Sequence, residues 1–215
     1  MDSQDQEISA ERCAVIVMTR YPEAGQVKTR LIETLGEHGA ANLHKRMAEH
    51  TMSTLQPLHD IETADLFVFF NGGSNEQMQR WLGSSFEYQP QQGSNLGEKM
   101  VNSFKHIFNT GYNRAVILGT DCPDIEGATV VQALKYLRSA DLVLGPAEDG
   151  GYYLLGLNQT IPQLFEGIEW GSDRVLAQTT QQAKQQNLSI EYLHPLRDID
   201  TPADLESIRG TFLLP

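Results

Sequence analysis

Cations are scarce in this sequence: 16 Lys and Arg stand against 28 Asp and Glu, for a formal net charge of -12. Nonspecific nucleic-acid binding needs clustered Lys and Arg, so that function is excluded. A phosphate ligand is not, because a few local cations and a metal suffice for one. Cysteine is nearly missing, with only Cys13 and Cys122. Two isolated cysteines build neither a disulfide framework nor a metal-binding set, and a reducing, cytoplasmic compartment fits them. No apolar run reaches the roughly 18 residues a transmembrane helix needs, so no membrane is expected to be crossed. The polar, acidic stretch Met1 to Glu11 has no signal-peptide pattern and reads as a frayed tail. The Gly-x4-Gly-Lys-Ser/Thr spacing of a Walker loop is absent, as are internal repeats, linkers and low-complexity segments.

What is present alternates. Continuous apolar runs of the kind that make buried parallel strands recur at Cys13–Thr19, Asp65–Asn71 and Ala115–Thr120, with a short one at Phe86–Gln89. Helical patterns lie between them. Gly39–Leu58 carries Ala40, Leu43, Met47, Met52 and Leu55, and its His44 and His50 read as surface groups. Ser74 caps a short helix reaching Leu82, and Asn95 or Ser94 opens another that ends near Gly111. Further helices are expected over Ala128–Ser139, Ile161–Phe165 and Arg174–Gln186, the last capped by Asp173. Thr201 would cap a final helix with Pro202 in its first turn. Leu188–Leu196 resembles a strand. Strands and helices in this alternation predict one α/β domain over residues 12–215.

Four stretches carry chemistry. Ala115-Val-Ile-Leu-Gly-Thr-Asp-Cys-Pro-Asp124 is a buried strand that surfaces and delivers Asp121 to a loop fixed by Pro123. In open α/β sheets that edge is where ligands bind. A carboxylate there holds a hard divalent cation, or else Asp121 or Asp124 merely caps the following helix. Just past the first strand, Arg20, Lys28 and Arg30 fall within eleven residues of each other, where phosphates sit in many α/β folds. Arg30 offers a planar fork and Lys28 a point charge. In Leu142–Gly156, two apolar runs flank Pro-Ala-Glu-Asp-Gly-Gly. A hairpin turn explains Asp149-Gly150-Gly151, while Glu148 and the adjoining Tyr152 and Tyr153 point to a sugar-binding or catalytic edge. Trp170 either stacks on a sugar face or packs on the core. Asp198 and Asp200 alternate around Ile199, so both point the same way in extended chain.

Pro22–Leu31, Gly119–Asp124, Leu144–Tyr153 and Asp198–Leu205, with the loop Gln92-Gly-Ser-Asn-Leu-Gly-Glu-Lys-Met100, together resemble the rSAM/selenodomain-associated, arsenosugar-biosynthesis-type glycosyltransferase-like family. That family is similar in turn to the GT-A nucleotide-diphospho-sugar transferases. The resemblance implies a three-layer α/β/α sandwich with a mostly parallel central sheet. It implies transfer of a sugar from a nucleotide-diphospho-sugar to a small-molecule acceptor, with Mg²⁺ or Mn²⁺ as cofactor. Carried over by position, Lys28 and Arg30 would bind the donor's phosphates. Gln92, Leu96 and Gly97 would lie along its base and ribose. Asp121, with Asp200 or Asp198, would hold the metal, and Asp149 would act as general base. Gly150, Gly151, Tyr152 and Trp170 would face the acceptor or sugar. The first loop departs from the Gly-x-Gly-Thr-Arg form of nucleotidyltransferases. Nucleotidyl transfer with pyrophosphate release, and a non-catalytic nucleotide-binding module, stay open beside glycosyl transfer.

Overall fold

The computed structural model describes residues 11–60 and 64–211, so the tail expected over residues 1–11 lies, apart from Glu11, outside the described residues. Seven strands form one sheet in the order β3-β2-β1-β4-β6-β5-β7. They are β1 Cys13–Arg20, β2 Asp65–Asn71, β3 Glu87–Pro90, β4 Arg114–Leu118, β5 Leu142–Pro146, β6 Tyr152–Leu157 and β7 Ile190–Tyr192. Among the described residues only β6 runs against its neighbours, inserted between β4 and β5. The sheet is therefore mostly parallel.

The strands are apolar throughout because both faces are covered. Val15, Val17, Val68, Val116 and Leu118 point to one face, and α1 (Ile32–Asp60), α2 (Asn75–Leu82) and α4 (Gly127–Tyr136) cover it. Their neighbours in sequence, Ala14, Ile16, Phe67, Phe69 and Ile117, point to the other, under α3 (Leu96–Asn109) and α5 (Val175–Gln185). That alternation builds the three layers.

Several boundaries differ from the sequence reading, each for a local reason. Helix α1 starts at Ile32 rather than Gly39, with a non-helical break at Gly36 (φ 70°). A third apolar cluster, in which Leu31 and Leu43 meet Ile199, Leu205 and Ile208, holds that early turn. His44 is buried, not a surface group; it lies four residues from the buried Ala40 and Ala48 on the same helix face. Asp124 is exposed, and Glu126, not an aspartate, stands at the start of α4. Asp173 makes no cap on α5, where Arg174 is the boundary residue. Thr201 does not cap the last turn either. Asp204 lies within that 3-10 turn, Asp204–Ile208, and its Oδ2 accepts hydrogen bonds from the backbone and hydroxyl of Thr201, both at 2.7 Å.

The chain leaves the sheet at β3 and returns to its middle at β4, so β1 and β4 lie side by side with their connections running to opposite halves. Their C-terminal ends form the switch point of the fold, and the cleft opens there.

Candidate functional site

The cleft is a cavity of about 710 Å³ over the C-terminal ends of β1 and β4. Lys28 stands at its floor. Its backbone is left-handed (φ 48°, ψ 44°), a conformation that costs a side-chain-bearing residue on the order of 1 kcal/mol or more. That turn sends the ammonium inward, where it is 3% exposed. There Nζ donates to the Ile199 carbonyl and lies 2.7 Å from Asp121 and 3.7 Å from Asp200. Arg30, at the rim, pairs with the other Asp200 oxygen at 2.6 Å.

Asp121 leaves β4 as its position predicted. Burial raises its pKa, but the Lys28 ammonium outweighs this, helped by His44 and Arg20, and the carboxyl is held below its usual range. The backbone NH of Ile199 donates to the Asp121 carbonyl at 2.9 Å. Ile199 is therefore tied to the floor from both of its peptide groups. Its buried side chain leaves Asp198 and Asp200 on the cleft side, as the alternation requires. Burial, then the Asp149, Asp121 and Asp200 carboxylates, push Asp198 up to about 6.

Asp149 reaches the cleft from the β5–β6 hairpin, where its Oδ1 accepts from the Gly151 backbone at 2.8 Å. Gly150 does not line the cleft. It sits at φ 90° against the backbone of Asp173, where a Cβ would come within 2.1 Å of the carbonyl oxygen, and so it seats the hairpin on the start of α5. Gly151 and Tyr152 line the cavity, but the Tyr152 hydroxyl is buried beside Thr179.

Leu96 is 46% exposed at the mouth. Gln92 does not line the cleft; its carbonyl accepts from Asn102. Gln91 does line it, with its carboxamide committed to the carbonyls of Thr19 and Phe69. Gly97 packs against Trp170, whose ring a Cβ would meet at 2.8 Å, and faces a separate recess. Trp170 lines both cavities and lies nearly parallel to Phe165 (23°), so much of the indole is packing.

A family profile matches residues 54–172. The chain belongs to the DUF2064 family. That family is described as an "Uncharacterized protein conserved in bacteria". No curated protein matches this DUF2064 chain. Among solved structures, a provisionally described nucleotide-diphospho-sugar transferase from Desulfovibrio desulfuricans G20 is 34% identical, with TM-score 0.86 over 94% of this chain and 90% of that one. A 4-diphosphocytidyl-2C-methyl-D-erythritol synthase from Anaerococcus prevotii (10% identity, TM-score 0.61, 92% and 96% covered) shares the fold. So does glucosyl-3-phosphoglycerate synthase from Mycobacterium tuberculosis, solved with Mn²⁺, UDP and glucosyl-3-phosphoglycerate (12%, 0.57, 92% and 75%). The fold of this DUF2064 chain is thus that of nucleotide-diphospho-sugar transferases and nucleotidyltransferases.

Among the described residues of this DUF2064 protein, no three His, Cys, Asp or Glu form a ready metal cage. The donor chemistry nevertheless fits a hard cation. Asp121, Asp198 and Asp200 bring only oxygens to one cavity, and a point cation, the Lys28 ammonium, already sits between two of them. Three cleft residues were not picked out as site groups from sequence. Thr120 meets Thr19 across the floor (3.4 Å between hydroxyls). His44 places Nε2 3.0 Å from the Arg20 carbonyl; a carbonyl only accepts, so Nε2 carries the proton. Burial lowers the His44 pKa. Lys99, in the first turn of α3, also faces the cavity. His44's place on an apolar stripe was a usable signal, and so was Lys99's place in the loop that opens α3.

Proposed function

We propose that this protein is a cytoplasmic transferase that moves a sugar from a nucleotide-diphospho-sugar to a hydroxyl of a small-molecule acceptor. The observation that carries the reading is the convergence of four carboxylates and four cations, from five separate chain segments, on one cleft at the switch point of the sheet. The 34% identity to a nucleotide-diphospho-sugar transferase supports the same class. The closer assignment to arsenosugar biosynthesis rests on the sequence motifs alone.

In this reading Asp121, Asp198 and Asp200 hold a divalent cation. Bound there, the metal supplies charge stabilisation to a departing diphosphate. Lys28 and Arg30 add positive charge beneath the same group. Leu96, at the mouth, meets the base. Asp149 takes the proton from the acceptor hydroxyl as general base; its turn, fixed by the Gly151 amide and the Asp173 contact, holds the carboxylate at the cleft edge. Gly151 and the indole edge of Trp170 line the acceptor side.

Nucleotidyl transfer is the second reading, favoured by the shared fold with the diphosphocytidyl synthase. One experiment separates them. Thermal melts of the wild type and Asp121→Ala are run against nucleotide-diphospho-sugars and nucleoside triphosphates, with and without Mn²⁺. A Mn²⁺-dependent rise with a nucleotide-sugar, absent in Asp121→Ala, is the expected result. A rise with a triphosphate alone, accompanied by pyrophosphate release, would replace sugar transfer with nucleotidyl transfer. No rise with any of these ligands would leave a fold without this activity.

A further inference from the structure

The charges of the cleft sort into three groups. Along its floor, Lys28 pairs with Asp121 and Asp200, and Arg30 pairs with Asp200, so these cations are already neutralised by the protein. Asp149 and Asp198 have no cationic partner among the described residues, and two cations of the cleft have no carboxylate partner among them. Lys99 is half-buried, lines the cavity and makes no side-chain bond among the described residues. Among the described residues the Arg20 guanidinium makes one hydrogen bond, to the Gln26 carbonyl at 3.5 Å. Both belong to the same face of the sheet. Arg20 follows Ala14, Ile16 and Met18 in the alternation of β1, and these pack beneath α3, whose first turn carries Lys99.

A neutralised ammonium buried behind two carboxylates acts on a diphosphate through its field and offers no free N–H. A half-buried lysine with no partner offers three. Its surroundings bring no unpaired carboxylate: Glu98, its neighbour in sequence, is occupied by Ser94 and Asn95.

We propose that Lys99, with Arg20, makes the direct contacts to the phosphate groups of the ligand, and that the reactive hydroxyl enters at Asp149. The proposal rests on the nucleotide reading above for the identity of the whole ligand, but its anionic part is tested separately. Lys99 thereby becomes a binding residue that the motif pair Lys28 and Arg30 does not include. It also gives the cleft a direction, with phosphates toward α3 and the acceptor toward the β5–β6 hairpin.

The test is calorimetric titration of the full chain with inorganic pyrophosphate and, separately, with the common nucleoside diphosphates, each with and without Mg²⁺. Lys99→Met is expected to weaken both roughly ten- to a hundredfold, the scale of one charge-assisted hydrogen bond. Lys99→Arg is expected to keep most of the affinity. Lys105→Met, on an exposed turn of the same helix, removes the same charge and should change nothing. If Lys99→Met loses pyrophosphate but the wild type takes no nucleoside diphosphate, the lysine assignment stands and the nucleotide reading falls. If a nucleoside diphosphate binds Lys99→Met as tightly as wild type, the nucleotide reading stands and the lysine assignment is overturned. Wild type that binds neither probe overturns it as well.

Discussion

The two ends of the sheet treat charge in opposite ways. At the N-terminal ends of β1, β2 and β4 the charges close on themselves. The Arg12 guanidinium lies 4.2 Å from the centre of the Tyr112 ring, Tyr112 donates to Asp65 at 2.6 Å, and the buried Arg114 guanidinium pairs with Glu11. At the C-terminal ends a paired floor is accompanied by cations and carboxylates that have no ion-pair partner among the described residues. The lower end has the arrangement of a structural cap. The upper end retains charge that the protein does not pair. A buried ion pair alone is thus no mark of a site; unpaired charge around one is.

The comparison breaks first at Lys28. Lys28→Met leaves Asp121 without its cation and Asp200 with Arg30 alone, and urea unfolding should show a loss of roughly 3 kcal/mol. Unchanged stability would mean the floor is not held by its charges. Asp149→Asn tests the opposite kind of residue. Turnover is expected to fall by at least roughly a hundredfold while nucleotide affinity and melting temperature stay near wild type. If turnover persisted, the base lies elsewhere.

Arg114→Met probes the lower end. Its partner Glu11 is exposed, so water replaces much of what is lost, and a penalty of about 1–2 kcal/mol is expected with kcat/KM unaltered. A change in kcat/KM would couple the two ends.

His44 gives the smallest effect. Burial depresses its pKa in the folded state, so the unfolded chain takes up the proton more readily. The stabilisation is complete above the ordinary histidine value of about 6.5 and is lost as pH falls through the lower folded value. The wild-type melting temperature should therefore drop on acidification through this range more steeply than that of His44→Gln.

The sheet was legible because burial on both faces forces continuous apolar runs; both ends of Asp65–Asn71 followed directly, and the first strand runs one residue past the expected Thr19, to Arg20. Asp121, Asp149, Asp198 and Asp200 were legible as residues at strand ends and turns, and all four line the cleft. Which groups are already paired was not legible. Lys28 and Arg30 attract attention as neighbours in sequence, yet Arg30 finds Asp200 170 positions away, and Lys28 finds Asp121 and the Ile199 carbonyl, 93 and 171 positions away. Local pattern carries no information about such a contact. Gln92 and Gly97 lie off the cleft for a smaller reason. The loop was placed correctly, but a change of one position decides whether a group faces the cavity, as Gln91 does, or the reverse side. Thr201 and Asp204 exchanged roles because either end of such a motif supplies the oxygen.

The hold of Ile199 on the floor sets an order in time. Every other segment of the cleft precedes it along the chain, so a ribosome delivers the 198–200 stretch after both the sheet and Lys28. Until then Lys28 lacks the Ile199 carbonyl and Asp200, and the Asp121 carbonyl lacks the Ile199 amide. Nascent chains released before this point carry all seven strands but an open floor. A protease cutting between Leu196 and Asp198 would return the finished protein to that state, which limited digestion followed by pyrophosphate titration would reveal.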